Sequence, residues 1–176
     1  MKKVFPISSF VLGGAASGKS AWAEELVESF GKPMTYIATG QVFDAEVAAK
    51  VEIHKNRRDD RWHTVEAPFE IADALASVGS DGVVLIDCAT MWLTNHLLAE
   101  NDLEAAEKAL MQALDSCAAP WVIVSNEVGQ GIVPQNALAR RFREAQGRLN
   151  ILLARRAELV VQVVAGLPQV LKGQLP

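Results

Sequence analysis

Short runs of hydrophobic residues alternate along this chain with longer segments in which hydrophobic residues recur every three or four positions. The short runs predict β-strands, and the longer segments predict helices. Two runs, 83–86 and 121–124, are wholly apolar, which is typical of strands buried on both faces of a parallel sheet. The predicted strands are 10–12, 34–38, 62–65, 83–86, 121–124 and, last in the chain, 159–164.

Helical periodicity fills most of the segments between these strands. Asp44 is a suitable N-cap for one helix, and Pro68 is a suitable first residue for another. The alternation of strands and helices predicts an α/β fold with a mostly parallel central sheet. A chain of 176 residues fits a single domain, 1–176. The predicted helices are 20–30, 44–57, 68–77, 90–100, 103–117 and 136–156.

The first predicted strand runs into a glycine-rich segment that matches the phosphate-loop pattern G-x-x-x-x-G-K-[ST]. Gly13 and Gly18 allow the backbone to point successive N–H groups at an anion. Lys19 supplies positive charge to the β- and γ-phosphates, and the Ser20 hydroxyl is a ligand for Mg²⁺. A strand before and a helix after favour a P-loop NTPase-like three-layer fold over a chance glycine-rich turn. The nucleotide-binding positions are Gly13, Gly14, Ala15, Ala16, Ser17, Gly18, Lys19 and Ser20.

A carboxylate follows the apolar run 83–86. Ligands of open parallel sheets bind at the carboxyl ends of the strands, so Asp87 is placed to hold or orient Mg²⁺. The alternative interpretation is an aspartate that caps the next helix. The N-K-x-D signature of guanine-binding switch proteins is absent, so the loop alone leaves the base and the phosphate acceptor open.

His54 lies among cations at helical spacing. Lys50 precedes it by one turn, and Arg57 and Arg58 follow it by one turn. Nearby cations disfavour the protonated imidazole, and a neutral imidazole is a nucleophile. On the residues alone, two interpretations stand: a nucleophile for the α-phosphorus of a nucleotide, or a solvated helix face that carries a histidine.

The composition of the chain bears on which ligands it can bind and on where in the cell it is found. The formal net charge is −4, which disfavours nucleic acid as a ligand because phosphate backbones require clustered Lys and Arg. Cys88 and Cys117 form neither a disulfide framework nor a zinc site, and they indicate a reducing cytosol. Pro6 interrupts the N-terminal apolar stretch, which argues against a signal peptide. A cytoplasmic location is therefore expected.

Several segments together resemble one family, the bifunctional adenosylcobinamide kinase/adenosylcobinamide-phosphate guanylyltransferases of cobalamin synthesis. The segment 124–129, Val-Ser-Asn-Glu-Val-Gly, which leads into Gly-Ile-Val-Pro at 131–134, is more particular than the phosphate loop. The matching segments are 12–20, 36–41, 44–51 with 54–55 and 58, 62–66, 85–88 with 92–95, 124–134, 142–143 and 147–150.

The resemblance implies two reactions at one site. A nucleoside triphosphate, ATP or GTP, phosphorylates a hydroxyl of adenosylcobinamide. GMP from GTP is then transferred to that phosphate through a GMP–histidine intermediate, for which His54 aligns. The resemblance also implies a homotrimer that uses a corrinoid substrate. Further nucleotide-contacting positions by alignment are Thr39, Gly40, Gln41, Asn56, Arg57, Arg58, Asp59 and Glu66.

The chain departs from the family pattern at three positions. Ala16 stands where many members have Arg, Asp87 where some have Glu, and Ile53 where some have a second His. Two alternatives to the bifunctional enzyme remain: a small-molecule P-loop kinase without guanylyltransferase activity, and a nucleotide-dependent switch or scaffold.

Overall fold

The computed structural model of the protein describes residues 4–41 and 45–176. Strands and helices alternate over most of this length, as the hydrophobic pattern predicts. The strands are β1 Ser8–Gly13, β2 Met34–Ala38, β3 Trp62–Glu66, β4 Val83–Asp87, β5 Trp121–Asn126, β6 Leu159–Val164 and β7 Leu167–Lys172. The helices are α1 Lys19–Ser29, α2 Ala45–Arg57, α3 Ala72–Ala76, α4 Ala89–Leu98, α5 Leu103–Ser116 and α6 Ala137–Arg156.

All of these strands form one sheet in the order β3-β2-β4-β5-β1-β6-β7. Every pairing is parallel except the last, in which β7 runs antiparallel to β6. The phosphate-loop strand β1 therefore lies between β5 and β6, and β5 separates it from β4. The carboxyl ends of β1, β2, β4 and β5 meet at one edge, where the candidate functional residues also lie.

The sheet is covered on both faces, which makes three layers. Val11, Leu85 and Val124 pack on one face with residues of α1. Phe10 and Ile123 pack on the other face, in a larger cluster that includes residues of α3, α4, α5 and α6. The apolar runs in β4 and β5 follow from this arrangement, since successive side chains of a strand point to opposite faces and both faces are buried.

Helix α6 is the longest helix of the described ranges, with 20 residues. It buries Ala145, Leu149 and Leu153 against the sheet, and basic residues occupy much of its remaining surface. Across residues 4–41 and 45–176, no helix is both long and apolar enough to cross a lipid bilayer.

The hydrophobic pattern did not predict β7. Its six residues are exposed, so no alternation of apolar and polar positions marks it, and Pro168 argues against a strand interior. The strand forms because Ala165 and Gly166 turn the chain back on β6 with φ angles of 52° and 76°. Two consecutive positive φ angles are characteristic of a tight hairpin turn. The prediction that 159–164 is the last strand is therefore wrong.

The helix predicted over 68–77 is shorter in the structure and begins at Ala72. Side chains of α4 bind the preceding carbonyl groups: Asn95 Nδ2 donates to Pro68 at 2.9 Å and Trp92 Nε1 donates to Phe69 at 2.8 Å. These contacts take the carbonyls that a helix starting at Pro68 would use. The predicted N-cap Asp44 lies outside the described residues.

Replacing Phe10 by Ala should destabilise the protein by about 3–5 kcal/mol, because the side chain is fully buried and its removal leaves a cavity. Urea unfolding followed by circular dichroism measures the difference. Leu171→Ala is the matched control, since Leu171 is 54% exposed in β7 and should change the free energy of unfolding by about 0.5 kcal/mol or less. Equal losses in the two variants would contradict the assigned core.

Candidate active site

The phosphate loop joins the end of β1 to the start of α1. A Cβ on Gly13 would collide with Ser17 Oγ and lie 2.7 Å from the carbonyl oxygen of Val163. Gly18 has φ +87°, a left-handed conformation that favours glycine. Its carbonyl accepts the first bond of the helix, from Trp22 N–H at 3.0 Å. The two glycines of the motif are thus required by close packing and by backbone conformation.

Lys19 folds back over this loop. Its Nζ donates to the carbonyl of Gly14 at 3.0 Å. Burial lowers the pKa of Lys19, and the nearby Cys88 and Asp87 oppose that shift. A charged, half-buried amine whose hydrogen bond in this structure is to a backbone carbonyl can exchange that carbonyl for a phosphate oxygen.

The turn between β6 and β7 supports the loop from the outside. Gly166 N–H donates to the carbonyl of Ser17 at 2.8 Å. A Cβ on Gly18 would lie 3.0 Å from Gly166 Cα, so turn and loop are in van der Waals contact. Sequence reasoning missed this support because it missed β7; the only local signal was Ala165-Gly166 after an apolar run.

The carboxyl edge of the sheet brings further predicted residues together. Asp87 is the last residue of β4 and pairs in register with Ala38, the last residue of β2. Ala38 pairs in turn with Glu66, the exposed end of β3. Asp87, the phosphate loop and Glu66 therefore share one edge of the sheet. Asp87 ends the strand instead of following it, and the helix-cap role falls to Cys88, whose Sγ accepts from Met91 N–H at 3.4 Å.

The two cysteines are free and partly buried. Burial raises the pKa of Cys88 to about 12, and the neighbouring Asp87 adds to that shift. Burial also raises the pKa of Cys117. Both thiols are therefore protonated at neutral pH, in agreement with a structural role and not a nucleophilic one.

The hydroxyl of Tyr36 donates a hydrogen bond to Asp87 Oδ2 at 3.1 Å. Arg58 lies on the ring of Tyr36, with Cζ 3.5 Å from the ring centroid. Its Nη1 is 3.6 Å from Glu24 Oε1, and its side chain is only 5% exposed. These contacts form a buried chain of four side chains. It runs from Asp87 of β4 through Tyr36 of β2 and Arg58, the residue after α2, to Glu24 of α1.

This chain changes the interpretation of Arg58. Family resemblance implies that Arg58 contacts GTP, whereas in the structure its guanidinium is enclosed by Tyr36 and Glu24. The GTP contact stays a prediction, but the observed role is to attach the end of α2 to the layer below the phosphate loop. The sequence leaves Arg58 either on a solvated helix face or beside GTP, whereas in the structure its side chain is buried against an aromatic ring and a carboxylate.

The turn at residues 39–41, which aligns with a nucleotide-contacting turn of the family, is fixed to the sheet by Thr39. Thr39 is fully buried, and its hydroxyl donates to the carbonyl of Cys88 at 2.6 Å and accepts from Cys88 N–H at 2.8 Å. It thereby fixes the end of β2 to the end of β4. Gly40 is exposed and Gln41 is half-buried at this same edge, where they can face a ligand.

Asn56 and Asp59 are exposed at and just beyond the end of α2. Asp59 binds Arg61, whose Nε donates to both carboxylate oxygens, and this hydrogen bonding lowers the pKa of Asp59. The structure therefore gives Asp59 a local partner, and the GTP contacts of both residues stay predictions.

His54 belongs to α2, which spans Ala45–Arg57. The predicted helix is present, so Lys50 and Arg57 fall on neighbouring turns of the same helix as His54. The side chains of these three residues lie outside the described part of the chain. The connection of α2 to the core is described one turn after His54, where Arg58 N–H donates to Lys55 O at 3.1 Å.

A strand, a glycine loop carrying Lys and Ser, a helix, and a carboxylate two strands away define a P-loop nucleotide-binding protein of the α/β class. Residues 9–171 match the family described as "Cobinamide kinase / cobinamide phosphate guanyltransferase". The chain belongs to this family.

Two curated relatives agree with this membership. The chain is 41% identical over 167 residues to the bifunctional adenosylcobalamin biosynthesis protein CobP of Pseudomonas aeruginosa, with 93% of this chain and 96% of the relative covered. It is 42% identical over 174 residues to the bifunctional adenosylcobalamin biosynthesis protein CobU of Salmonella typhimurium, covering 89% and 95%.

A solved structure shares the fold alone. The protein of project PH0250 from Pyrococcus horikoshii OT3 aligns with a TM-score of 0.57 at 8% sequence identity, and the alignment covers 94% of this chain and 86% of that one. The α/β fold with a mostly parallel sheet is confirmed.

Gly13→Ala should destabilise the protein even without nucleotide, by about 1–3 kcal/mol, because the new methyl group meets the backbone carbonyl of Val163. Gly14→Ala is the matched control in the same loop, since nothing lies within 4 Å of its added Cβ. Thermal unfolding of the two variants tests this difference. A stable Gly13→Ala variant that melts like Gly14→Ala would contradict the close approach.

Tyr36 is the single tyrosine of the chain, so the rise in absorbance at 295 nm with pH reports on its ionisation, above a constant background from the four tryptophans. Burial and the neighbouring Asp87 carboxylate raise its pKa far above the ordinary value. We expect no tyrosinate absorbance in the folded protein at pH 11, where a free tyrosine with a pKa of about 10 is mostly ionised.

The sign of the accompanying stability change follows from the raised pKa. The folded state keeps a proton that the unfolded state loses, so the contribution of Tyr36 is complete below pH ~10 and falls by about 1.4 kcal/mol per pH unit above it. A tyrosinate transition near pH 10 in protein that retains its native circular dichroism would contradict the buried hydrogen bond to Asp87.

Proposed function

We propose that this protein is a bifunctional enzyme of cobalamin biosynthesis. It phosphorylates adenosylcobinamide with ATP or GTP, and it then transfers GMP from GTP to adenosylcobinamide phosphate. The observation that carries the proposal is the preformed phosphate loop, with Lys19 and Asp87 at one sheet edge, in a chain whose family match spans residues 9–171.

In the kinase reaction, the oxygen of a corrinoid hydroxyl attacks the γ-phosphorus. The bond from the γ-phosphorus to its bridging oxygen breaks, the nucleoside diphosphate leaves, and the hydroxyl proton passes to solvent. Lys19 and the loop N–H groups bind the phosphate oxygens and stabilise their charge, since this transfer depends chiefly on positioning and electrostatic stabilisation. The start of α1 adds its positive end to the same phosphates.

Magnesium fits the donors at this edge. Ser20 supplies a hydroxyl and Asp87 a carboxylate, both of which are hard oxygen ligands. Within the described ranges there is no cluster of three or more His, Cys, Asp or Glu that could form a complete metal cage. Mg²⁺ typically binds through one or two protein ligands, with water and substrate phosphates filling the other positions. When bound, the ion neutralises charge on the phosphates.

In the transferase reaction, a ring nitrogen of His54 attacks the α-phosphorus of GTP. Pyrophosphate leaves, and GMP remains on the imidazole through a P–N bond. A phosphate oxygen of adenosylcobinamide phosphate then attacks the same phosphorus, which breaks that bond and regenerates the histidine. The cations that accompany His54 on α2 favour the neutral, nucleophilic imidazole.

We assign nucleotide contacts to Gly40, Gln41 and Glu66 because they align with such positions in the family. Their exposed or half-buried places at the sheet edge that carries Asp87 support the assignment. We further propose a single catalytic domain, 1–176, a homotrimeric assembly and a cytoplasmic location. Two free thiols with raised pKa values support a reducing compartment. The net charge of −4 supports small-molecule phosphate ligands over nucleic acid.

The transferase half predicts a covalent adduct. Incubation with α-labelled GTP should add one GMP per active site, visible by intact mass, and acid should release it because P–N bonds of phosphohistidine type are acid-labile. His54→Ala should abolish the adduct while it preserves phosphorylation of adenosylcobinamide. His63→Ala is the matched control, since His63 is an exposed histidine of β3 and should label normally.

Lys19→Met should reduce both reactions by about a hundredfold or more, because one phosphate cradle serves both. Unaltered protein that phosphorylates adenosylcobinamide but never forms the adduct would identify a kinase without guanylyltransferase activity. Protein that binds nucleotide but shows neither reaction with adenosylcobinamide present would identify a switch or scaffold.

A further inference from the structure

A cluster of buried polar side chains lies beneath the end of β5, outside the site described above. It contains Thr90 of α4, Ser125 of β5, and Gln146 and Asn150 of α6. Thr90 is 6% exposed, Ser125 and Gln146 are fully buried, and Asn150 is 8% exposed. We call these four residues the polar ring.

The direction of each hydrogen bond in the polar ring follows from its donors. Ser125 Oγ donates to Asn150 Oδ1 at 2.7 Å, so its single proton is used. The contact of Thr90 Oγ1 with Ser125 Oγ, at 3.4 Å, must then be donated by Thr90. Gln146 Nε2 braces the ring by donating to Ser125 Oγ and to Asn150 Oδ1, both at 2.9 Å.

The ring closes through the main chain of one residue, Asn126. Its N–H donates to Thr90 Oγ1 at 2.8 Å, and its carbonyl accepts from Asn150 Nδ2 at 3.1 Å. Both backbone groups of Asn126 are therefore fixed by side chains from two different helices. None of these bonds uses the side-chain amide of Asn126, which is half-buried.

The contribution of these hydrogen bonds to the free energy of unfolding does not by itself explain the polar ring. Burying polar groups gives little net stabilisation even when they are paired, and each imperfect contact costs free energy. Here Gln146 Oε1 is buried without a hydrogen-bond partner among the described residues. An apolar cluster would pack the same space, so the polar ring is best explained by the residue that it holds in place.

The side chain of Asn126 is directed by the alternation of β5. Val122 and Val124 pack on the α1 face, whereas Ser125 joins α4 and α6 on the opposite face. Asn126 therefore belongs to the α1 face, at the sheet edge where β1 continues into the phosphate loop.

Its neighbours on the sheet are the residues of the phosphate site. Asn126 pairs in register with Gly13 of β1, which places their backbones about 5 Å apart. On the other side of β5, Asp87 pairs with Val124, one pleat below Asn126 on the same face. Asn126 thus lies between the loop that holds the phosphates and the carboxylate assigned to magnesium.

We propose that Asn126 is a phosphate-contacting residue, whose side-chain Nδ2 donates a hydrogen bond to the terminal phosphate of a bound nucleoside triphosphate. Thr90, Ser125, Gln146 and Asn150 are positioning residues that fix its backbone. The inference rests on the nucleotide site proposed above and adds to it a residue that distinguishes triphosphate from diphosphate.

Calorimetric titration of Asn126→Ala with the β,γ-imido analogue of GTP and with GDP, both with Mg²⁺, tests the contact. The variant should bind the analogue about 10- to 100-fold more weakly than the unaltered protein does, since hydrogen bonds to charged groups are strong. Its GDP affinity should change by about twofold or less, because GDP lacks the contacted phosphate. Asn126→Asp should weaken analogue binding further through charge repulsion.

Substitutions of Thr90 test whether the polar ring positions Asn126 or only stabilises the fold. Thr90→Val removes the acceptor for Asn126 N–H and should lower the ratio of analogue affinity to GDP affinity, whereas Thr90→Ser keeps the hydroxyl and should restore it. Thr35→Val is the matched control, because Thr35 is a buried threonine of β2 outside the polar ring. The ratio of analogue affinity to GDP affinity in this variant should equal that of the unaltered protein.

The outcomes separate this inference from the proposed function. Unaltered protein that binds neither nucleotide would overturn both. Unaltered protein that binds both, with an unchanged affinity ratio in Asn126→Ala, would overturn the inference alone. A folded Asn126→Ala variant that loses analogue and GDP equally would also overturn it, since the loss would then not depend on the terminal phosphate.

Discussion

The hydrogen bond from Gly166 N–H to the carbonyl of Ser17 sets the geometry on which the phosphate site depends. A loop can direct its N–H groups at an anion only when its carbonyls are turned away and bound elsewhere. The β6–β7 turn supplies one such partner, and its Gly166 Cα would lie only 3.0 Å from a Cβ on Gly18, whose φ of +87° already favours glycine. The antiparallel hairpin at the end of the chain thus completes a site that begins near its start.

The same dependence on distant segments explains which parts of the structure the sequence predicts. The strands β4 and β5 are recognisable because both of their faces are buried, and Asp87 stands out because a carboxylate ends an apolar run. Strand β7 has six exposed residues and gives no such pattern. Its effect on the phosphate loop comes from a backbone N–H group, which every residue except proline possesses, so no residue type marks it.

Arg58 shows a different limit. A basic residue just after an amphipathic helix is expected at the surface, yet its guanidinium lies on Tyr36 and beside Glu24. The burial is tolerable because a carboxylate balances the charge and an aromatic face replaces part of the lost hydration. Pairing of this kind depends on residues 22 and 34 positions away in the chain, and periodicity within one helix cannot reveal it. The polar ring was missed for the same reason, because its four members come from three separate elements.

The two proposed reactions, each on its own nucleotide at one site, require that the γ- and α-phosphorus atoms be reached by different groups. The topology separates those groups across the sheet edge. Helix α2, which carries His54, connects β2 to β3 and therefore belongs to the β3 side of Asp87. Asn126 ends β5, on the β1 side of Asp87.

If the proposed roles hold, a nucleotide bound along the loop would meet His54 from one side and Asn126 from the other. Arg58 connects the end of α2 to Tyr36 and Glu24, and Tyr36 binds Asp87. The carboxylate at the middle of the edge is therefore linked by contacts to the helix that carries His54. Under the proposed mechanism, one sheet edge would therefore present the α-phosphorus and the γ-phosphorus to different groups without a change in strand pairing.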